Sequence, residues 1–303
     1  MDAGLAPINV FFRWLPLPAY FNRDRANKIM TETFVRIIHQ RRSTGDLQNS
    51  DILQTLMDSQ YKDGSRMTDE AIAHLMIATL MGGQHTSSTT LSWILFELAR
   101  RPDIVEKLLE EQSMVLTGKP DTPPSELPDI EYEHVRAFEL HDCVMKETLR
   151  IHPPIHTVMR KVVQDLEFRG MTIPKGHFLC GSQAVSQMDA NRFPAPQTFN
   201  PERFRNNDEG SGEWTINGVN IAQKSARSHF LPFGAGRHRC IGEAFGYIQI
   251  KTILAMFVRQ FKHSLVRDET GIEKFPKMDY TSLIVVPEKP AYIQIERRST
   301  VTV

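Results

Sequence analysis

Cysteine is scarce in this chain, and long apolar runs and excess charge of either sign are absent. Three cysteines, Cys143, Cys180 and Cys240, are spread over 303 residues with no Cys-x-x-Cys pair. That spacing suggests neither a disulfide framework nor a zinc site, and it fits a reducing intracellular compartment. His141 and Cys143 sit two apart, but two ligands on one helix do not make a metal centre. No stretch approaches the ~18 consecutive apolar residues that a membrane-spanning helix needs. Lys plus Arg number 36 and Asp plus Glu number 36, so the formal net charge is zero, and nothing favours bulk binding to nucleic acid. Met1–Gly4 runs straight into Pro7, Trp14, Pro16 and Pro18, without the pattern of a signal peptide. Internal repeats and low-complexity tracts are also missing. What is present is 41% hydrophobic and 24% charged, enough for one large domain or two small ones.

The order of patterns is mostly helical. Asn22 to Arg42 carries Ile29, Phe34, Ile37 and Ile38 at helical spacing, and Ser43-Thr44-Gly45 ends it. Asp51 to Tyr61 reads as a short helix. Thr68 reads as an N-cap, with Asp69 and Glu70 in the first turn of a helix running to Arg101. Pro102 then opens the next helix at its first position. Thr117 to Asp129, with four prolines, is a loop, and Tyr132 to Ile151 is one helix that stops before Pro153-Pro154. Short strands follow at Val158–Val163, Leu166–Arg169 and His177–Gly181. Asn206 to Ser228 reads as an exposed insertion, Ile241 to Gln260 as the last long helix, and Leu283–Val286 and Tyr292–Glu296 as terminal strands. The expected class is mainly α with small mixed β-sheets.

Residues 233–242 read Phe-Gly-Ala-Gly-Arg-His-Arg-Cys-Ile-Gly. Cys240 is flanked by Gly234, Gly236 and Gly242, is preceded by Arg237, His238 and Arg239, and stands before a helical pattern. A helix N-terminus and adjacent cations both favour a thiolate. Glycines let a backbone approach a flat ligand closely. A lone cysteine is usually an ordinary core residue, but these surroundings point to an iron ligand. The stretch resembles the cysteine-loop signature of the cytochrome P-450 family, which Phe233, Gly236, His238, Cys240 and Gly242 match at all five fixed positions. An axial thiolate on haem iron favours O–O cleavage.

Two further stretches carry the same resemblance. Glu147-Thr148-Leu149-Arg150 places opposite charges at i and i+3, ordinarily a solvated surface pair of little worth. In the resemblance it is the family's E-x-x-R motif, with Arg203 of Pro201-Glu202-Arg203-Phe204 as third member of a buried network. Gly82-Gly83-Gln84-His85-Thr86-Ser87 puts two glycines inside the 68–101 helix, at a cost of about 1 kcal/mol each. Helix–helix packing or close approach of a ligand would compensate. The motif resembles the family's oxygen-binding helix, with Thr86 as the threonine that assists proton delivery. His85 stands where most members carry an acid. This form, together with His152-Pro153-Pro154-Ile155-His156-Thr157-Val158-Met159-Arg160, is similar to the fungal sterol 14-alpha-demethylase branch.

The resemblance implies a cytochrome P-450-like haem domain over residues 1–303, with the oxygen-binding helix at about 68–101, the E-x-x-R helix at about 132–151 and the cysteine loop at 233–242. It implies haem b with Cys240 as axial ligand, Thr86 and His85 in proton handling, and Arg160, His238, Phe233, Gly234, Ile241 and Gly242 against the cofactor. Ala78, Gly82, Gly83, Ile155, His156, Thr157, Met159, Ser282 and Leu283 would line the substrate side. O2 is the implied co-substrate. NADPH supplies electrons indirectly through NADPH-cytochrome P-450 reductase, at the cytosolic face of the endoplasmic reticulum membrane. The implied reaction is oxidative removal of the 14-alpha methyl group of a sterol. The resemblance begins near the middle of the family's sequence, so the expectation is an N-terminally truncated member without its membrane anchor or the roof of its cavity. Monooxygenation of another lipophilic substrate, and a fragment that binds haem poorly and does not catalyse, both stay open at this point.

Overall fold

The computed structural model describes residues 18–45, 51–205, 215–216, 219–220, 230–281 and 283–298. The chain divides into two compact units, Met1–Thr86 with Thr281–Leu283, and Ser87–Tyr280 with Ile284–Val303.

The first unit is helical. Helix α1 spans Pro18–Thr44, α2 spans Ile52–Asp58, and α3, Asp69–Ala99, begins here. Asp51 does two jobs. Its carboxylate accepts the Gln54 N–H at 2.8 Å as the α2 cap and takes a two-pronged bond from Arg41 at 2.8 and 2.6 Å. The Arg41 bond, then the Gln54 N–H, lowers its pKa to about 2. Ile38, Leu53, Met57 and Ile72 make this unit's core. Ile29, on the expected apolar stripe of α1, is instead exposed. Thr68 caps α3 as expected, its hydroxyl accepting the Ala71 N–H at 3.2 Å.

The second unit holds the larger core. The end of α3 (Ile94, Leu98) packs with α4, Pro102–Thr117, α6, Glu139–Ile151, and α8, Glu243–Gln260, around Phe193, Phe199 and Phe204. Pro102 stands at the start of α4, and Gly118 closes it at φ +71° by donating to the Met114 carbonyl at 2.9 Å. The single helix expected over 132–151 is two. Helix α5, Tyr132–Ala137, ends at Phe138, whose ψ of 91° is not helical and whose side chain is fully buried with Val135 and Ala255. Burial of that ring overrides the local helical pattern. Glu111 of α4 then caps α6 from outside, accepting the Leu140 N–H at 2.5 Å and the His141 N–H at 3.3 Å.

The described strands pair antiparallel, two by two, so the expected mixed sheets are a correction. Strand β1, Thr157–Lys161, pairs with β4, Phe178–Ser182, setting Met159 opposite Cys180. Strands β2, Leu166–Phe168, and β3, Met171–Ile173, form a hairpin. Its two-residue turn, Arg169-Gly170, has both φ values positive (50° and 79°), the geometry that twists with the strands. A four-residue helix α7, Gln183–Ser186, follows β4. Strands β5, Thr215–Ile216, and β6, Val219–Asn220, pair within the stretch expected as an insertion, most of which lies outside the described residues. Strand β7, Phe261–Leu265, pairs with β10, Ile293–Arg297, and β8, Met278–Asp279, with β9, Val286–Pro287. Neither β3 nor β7 was expected. Strand β7 follows α8 with no turn residue, and only the alternating burial of Phe261, His263 and Leu265 marks it. Among the described residues, no helix is long and apolar enough to cross a membrane.

Candidate functional site

Glu147 and Arg150 lie on one face of α6, and both are fully buried. Arg150 donates from Nε to Glu147 Oε2 at 2.7 Å and from Nη2 to Oε1 at 2.8 Å. Its remaining donors reach the Gln187 carbonyl at 3.0 Å and the Pro196 carbonyl at 2.8 Å. Arg203, on a 3-10 turn at Pro201–Phe204, donates from Nε to Glu147 Oε1 at 2.9 Å. The Asn200 N–H meets that same oxygen at 2.9 Å. Gln187, which carried no sequence signal, returns the favour by donating to the Leu149 and Arg150 carbonyls at 3.1 Å each. Both charges and nearly every donor are satisfied, the condition under which buried ions are tolerated. These hydrogen-bond partners of Glu147 and Arg150 are all side chains and backbone groups of the protein itself.

The cysteine loop has the opposite character. The Cys240 N–H donates to the Phe233 carbonyl at 2.8 Å, closing the loop, and the Gly234 N–H donates to the Leu231 carbonyl at 3.0 Å. Gly234 and Gly236 hold φ values of +71° and +67°, where an L side chain costs roughly 1–2 kcal/mol. Phe233 packs into the core, its ring 5.5 Å from that of Tyr247. The Cys240 thiol is exposed. Ile241 is 98% exposed and Phe245 66%. Helix α8 starts at Glu243, with Gly242 as its N-cap, so Cys240 lies in the turn before the helix and not at its first residue. Arg239 does not face the sulfur with a free charge either: its guanidinium pairs with Glu243 through Nε at 2.7 Å. His238 is exposed; the side chain of Arg237 and residue Ser282 lie outside the described residues.

The other cysteines differ. Burial pushes the Cys143 thiol up to about 12, which removes it as a thiolate, and Cys180 sits mid-strand on β4. Among the described residues no three His, Cys, Asp or Glu side chains are grouped around a metal position. An iron held by Cys240 would need its other ligands from a cofactor. A soft thiolate, glycines in place of side chains, and bare Ile241 and Phe245 beside it fit a flat, apolar, iron-carrying macrocycle.

Beyond α6 the chain enters the predicted substrate segment. Ile155 and Met159 are exposed. His156 Nδ1 and the Thr157 hydroxyl share a hydrogen bond of 2.7 Å, and the His156 ring stands edge-on to Tyr280 at 5.4 Å. Arg160 is exposed on β1, its guanidinium donating to the Met159 carbonyl at 2.8 Å. In the first unit Ala78 and Gly82 are exposed on α3, and Leu283 is exposed as well. Among the described residues, a Cβ built on Gly82 or Gly83 would meet no atom within 4 Å. The Thr86 hydroxyl donates to the Gly82 carbonyl at 2.8 Å, and His85 is half-buried.

Comparison with known proteins gives the family. A lanosterol 14-alpha demethylase of Cunninghamella elegans is 44% identical over 97% of this chain and 57% of its own length. A sterol 14-alpha demethylase of Aspergillus flavus is 42% identical over 100% of this chain and 61% of its own. An eburicol 14-alpha-demethylase of Uncinula necator is 42% identical over 98% and 57%. The chain therefore spans about three-fifths of the length of these relatives. A family model described as cytochrome P450 matches residues 4–295. With a cysteine loop, an E-x-x-R cluster and a match over nearly all its length, the chain belongs to the cytochrome P450 family.

Proposed function

We propose that this chain carries the haem-thiolate centre of a sterol 14-alpha-demethylase. The observation that carries the reading is the exposed Cys240 thiol in its glycine-turned loop, next to the bare Ile241 side chain. Haem, when bound, supplies oxygen activation at its iron. Cys240 would hold the iron through its thiolate, and Ile241 would gain cover, worth about 1.5–3 kcal/mol for a side chain of its size. Phe233, Gly234 and Gly242 shape the loop around it. Arg160 and His238 are exposed cations suited to charge-assisted bonds with propionates. Thr86 and His85 hold and pass protons, a hydroxyl and an imidazole being able to act in series. The Thr86 hydroxyl is held on α3 by its bond to the Gly82 carbonyl, and His85 is half-buried on the same helix.

By the family resemblance, Ile155, His156, Thr157 and Met159 would contact a rigid apolar ligand, and Ala78, Gly82 and Gly83 are likewise assigned to the substrate side. The 14-alpha methyl of lanosterol or a related sterol is oxidised in successive steps and leaves as formate. O2 and electrons from NADPH, delivered by NADPH-cytochrome P-450 reductase at the endoplasmic reticulum membrane, drive it. The names of the relatives support this choice over another lipophilic substrate. The test is the reduced carbon monoxide difference spectrum of the purified protein, followed by lanosterol titration and formate release with reductase and NADPH. A thiolate-type spectrum that shifts with lanosterol is expected. Absence of the thiolate-type spectrum overturns the haem-thiolate reading, and a spectrum indifferent to sterols overturns the substrate.

A further inference from the structure

His152 lies between the last residue of α6 and Pro153, and it is buried. Its ring is stacked on the Trp93 indole, centroids 4.0 Å apart and planes 1° from parallel. Its Nε2–H donates to Glu97 Oε1 at 2.8 Å, with both side chains below a tenth exposed. Trp93 and Glu97 are i and i+4 on α3, so one helix face holds both the plane and the tip of the imidazole. Phe275 closes the group, 6.0 Å from Trp93 and 6.3 Å from His152. The His152 N–H also ends α6, donating to the Thr148 carbonyl at 2.7 Å.

Only two residues, Pro153 and Pro154, separate this fixed ring from Ile155, the first exposed residue of the predicted sterol segment. Proline locks φ near −65°, so little slack remains between His152 and Ile155. The Val285 N–H donates to the Pro154 carbonyl at 2.9 Å and fixes the far end of that link. Burial of an imidazole and a carboxylate is costly unless they are paired, and a leucine-like side chain would fill the α6 end equally well. The polar pair gives an orientation that an apolar contact would not.

We propose that Glu97 and Trp93, acting through His152, are positioning residues that set where Ile155–Arg160 presents its side chains to the sterol. This rests on the reading above for the identity of the ligand, but the mechanical part does not. Two variants separate the effects. Glu97→Gln keeps an acceptor for His152; Glu97→Leu removes it at similar volume. Amide hydrogen exchange on the ligand-free protein is read first. Faster exchange over residues 155–161 in Glu97→Leu, with α6 still protected and Glu97→Gln near wild type, is expected. Equal exchange in all three overturns the latch.

Lanosterol titration is read second, on protein matched for carbon monoxide spectrum. Glu97→Leu should bind about tenfold more weakly, the loss of one buried hydrogen bond, and Glu97→Gln within about twofold of wild type. Unchanged affinity in Glu97→Leu overturns the proposal. A wild-type protein that ignores lanosterol refutes the sterol reading alone, and the exchange result still decides the latch. If Glu97→Leu fails to fold, Trp93→Phe repeats the exchange test with the Glu97 bond intact. Failure of both to fold, by circular dichroism, overturns the proposal, because the group would then serve the core and not the segment.

Discussion

The Glu147 cluster and the cysteine loop are built on opposite principles. In the first, Glu147 and Arg150 lie at zero exposure, the Arg203 side chain at 8%, and each is answered by protein atoms. In the second, a thiol and two large apolar side chains face outward, and the backbone is bent at two positive-φ glycines. One region is complete within the chain. The other is shaped for something that the chain does not supply. Effort spent on internal pairing gives rigidity, and open thiol and apolar surface give ligation, so substitutions in the two regions should fail in different ways.

The sharpest break is chemical. Cys240→Ala should abolish the thiolate–carbon monoxide spectrum completely, yet change urea stability of the ligand-free protein by less than about 0.5 kcal/mol, as exposed substitutions do. Cys143→Ala and Cys180→Ala should keep the spectrum. A surviving spectrum in Cys240→Ala would remove the assignment. Next in size, Glu147→Ala should destabilise by roughly 3–5 kcal/mol, because it strands two buried guanidinium groups. Haem content should then follow the folded fraction, and full loading with slower turnover would contradict a structural role.

Acid should act on the buried Glu111–His141 pair that caps α6. Burial pushes His141 below its ordinary value of 6.5, against the pull of Glu111 bonded at 2.7 Å. Burial alone would raise the Glu111 carboxyl, but the His141 bond and charge and the Leu140 and His141 N–H groups hold it below its ordinary 4.5. Both folded values are depressed. Their stabilisation is therefore present above the unfolded values and is lost as pH falls, first below about 6.5 for His141 and then through the depressed Glu111 value. Urea midpoints should drop between pH 7 and pH 4, and Glu111→Gln should flatten the lower part of that curve. A midpoint indifferent to pH over this range would refute the cap's electrostatic role.

The smallest effects have opposite signs. Gly236→Ala should cost roughly 1–2 kcal/mol at its φ of +67°. Gly82→Ala, in a helix with open space around it, should stabilise the ligand-free protein by up to about 1 kcal/mol while weakening lanosterol binding. Tighter binding in Gly82→Ala would deny that a ligand approaches this backbone.

What the sequence discloses follows from the same contrast. The cysteine loop is ten consecutive residues whose types suggest their chemistry, and Thr86 lies within one helical turn of Gly82 and Gly83. Glu147 and Arg150 are visible as a helical pair, but Arg203 becomes their partner only through the family resemblance. Gln187, the Asn200 backbone and the Glu111 cap carry no local mark, because each reaches its target across a fold that spacing does not encode. The break at Phe138 fails for a related reason: a buried ring outweighs helical propensity. The existence of β7 likewise depends on β10, a partner about thirty residues away in sequence.

Glu147 Oε1 accepts from Arg150, Arg203 and the Asn200 backbone at once. A single atom shared by three stretches of chain makes their energetic contributions interdependent. Removing either arginine leaves a carboxylate short of donors, so the second removal meets an interaction already weakened. In a double-mutant cycle the Arg150→Ala and Arg203→Ala losses should sum to more than the loss in the double variant, and the surplus measures how far the α6 end and the 200–203 turn behave as one thermodynamic element.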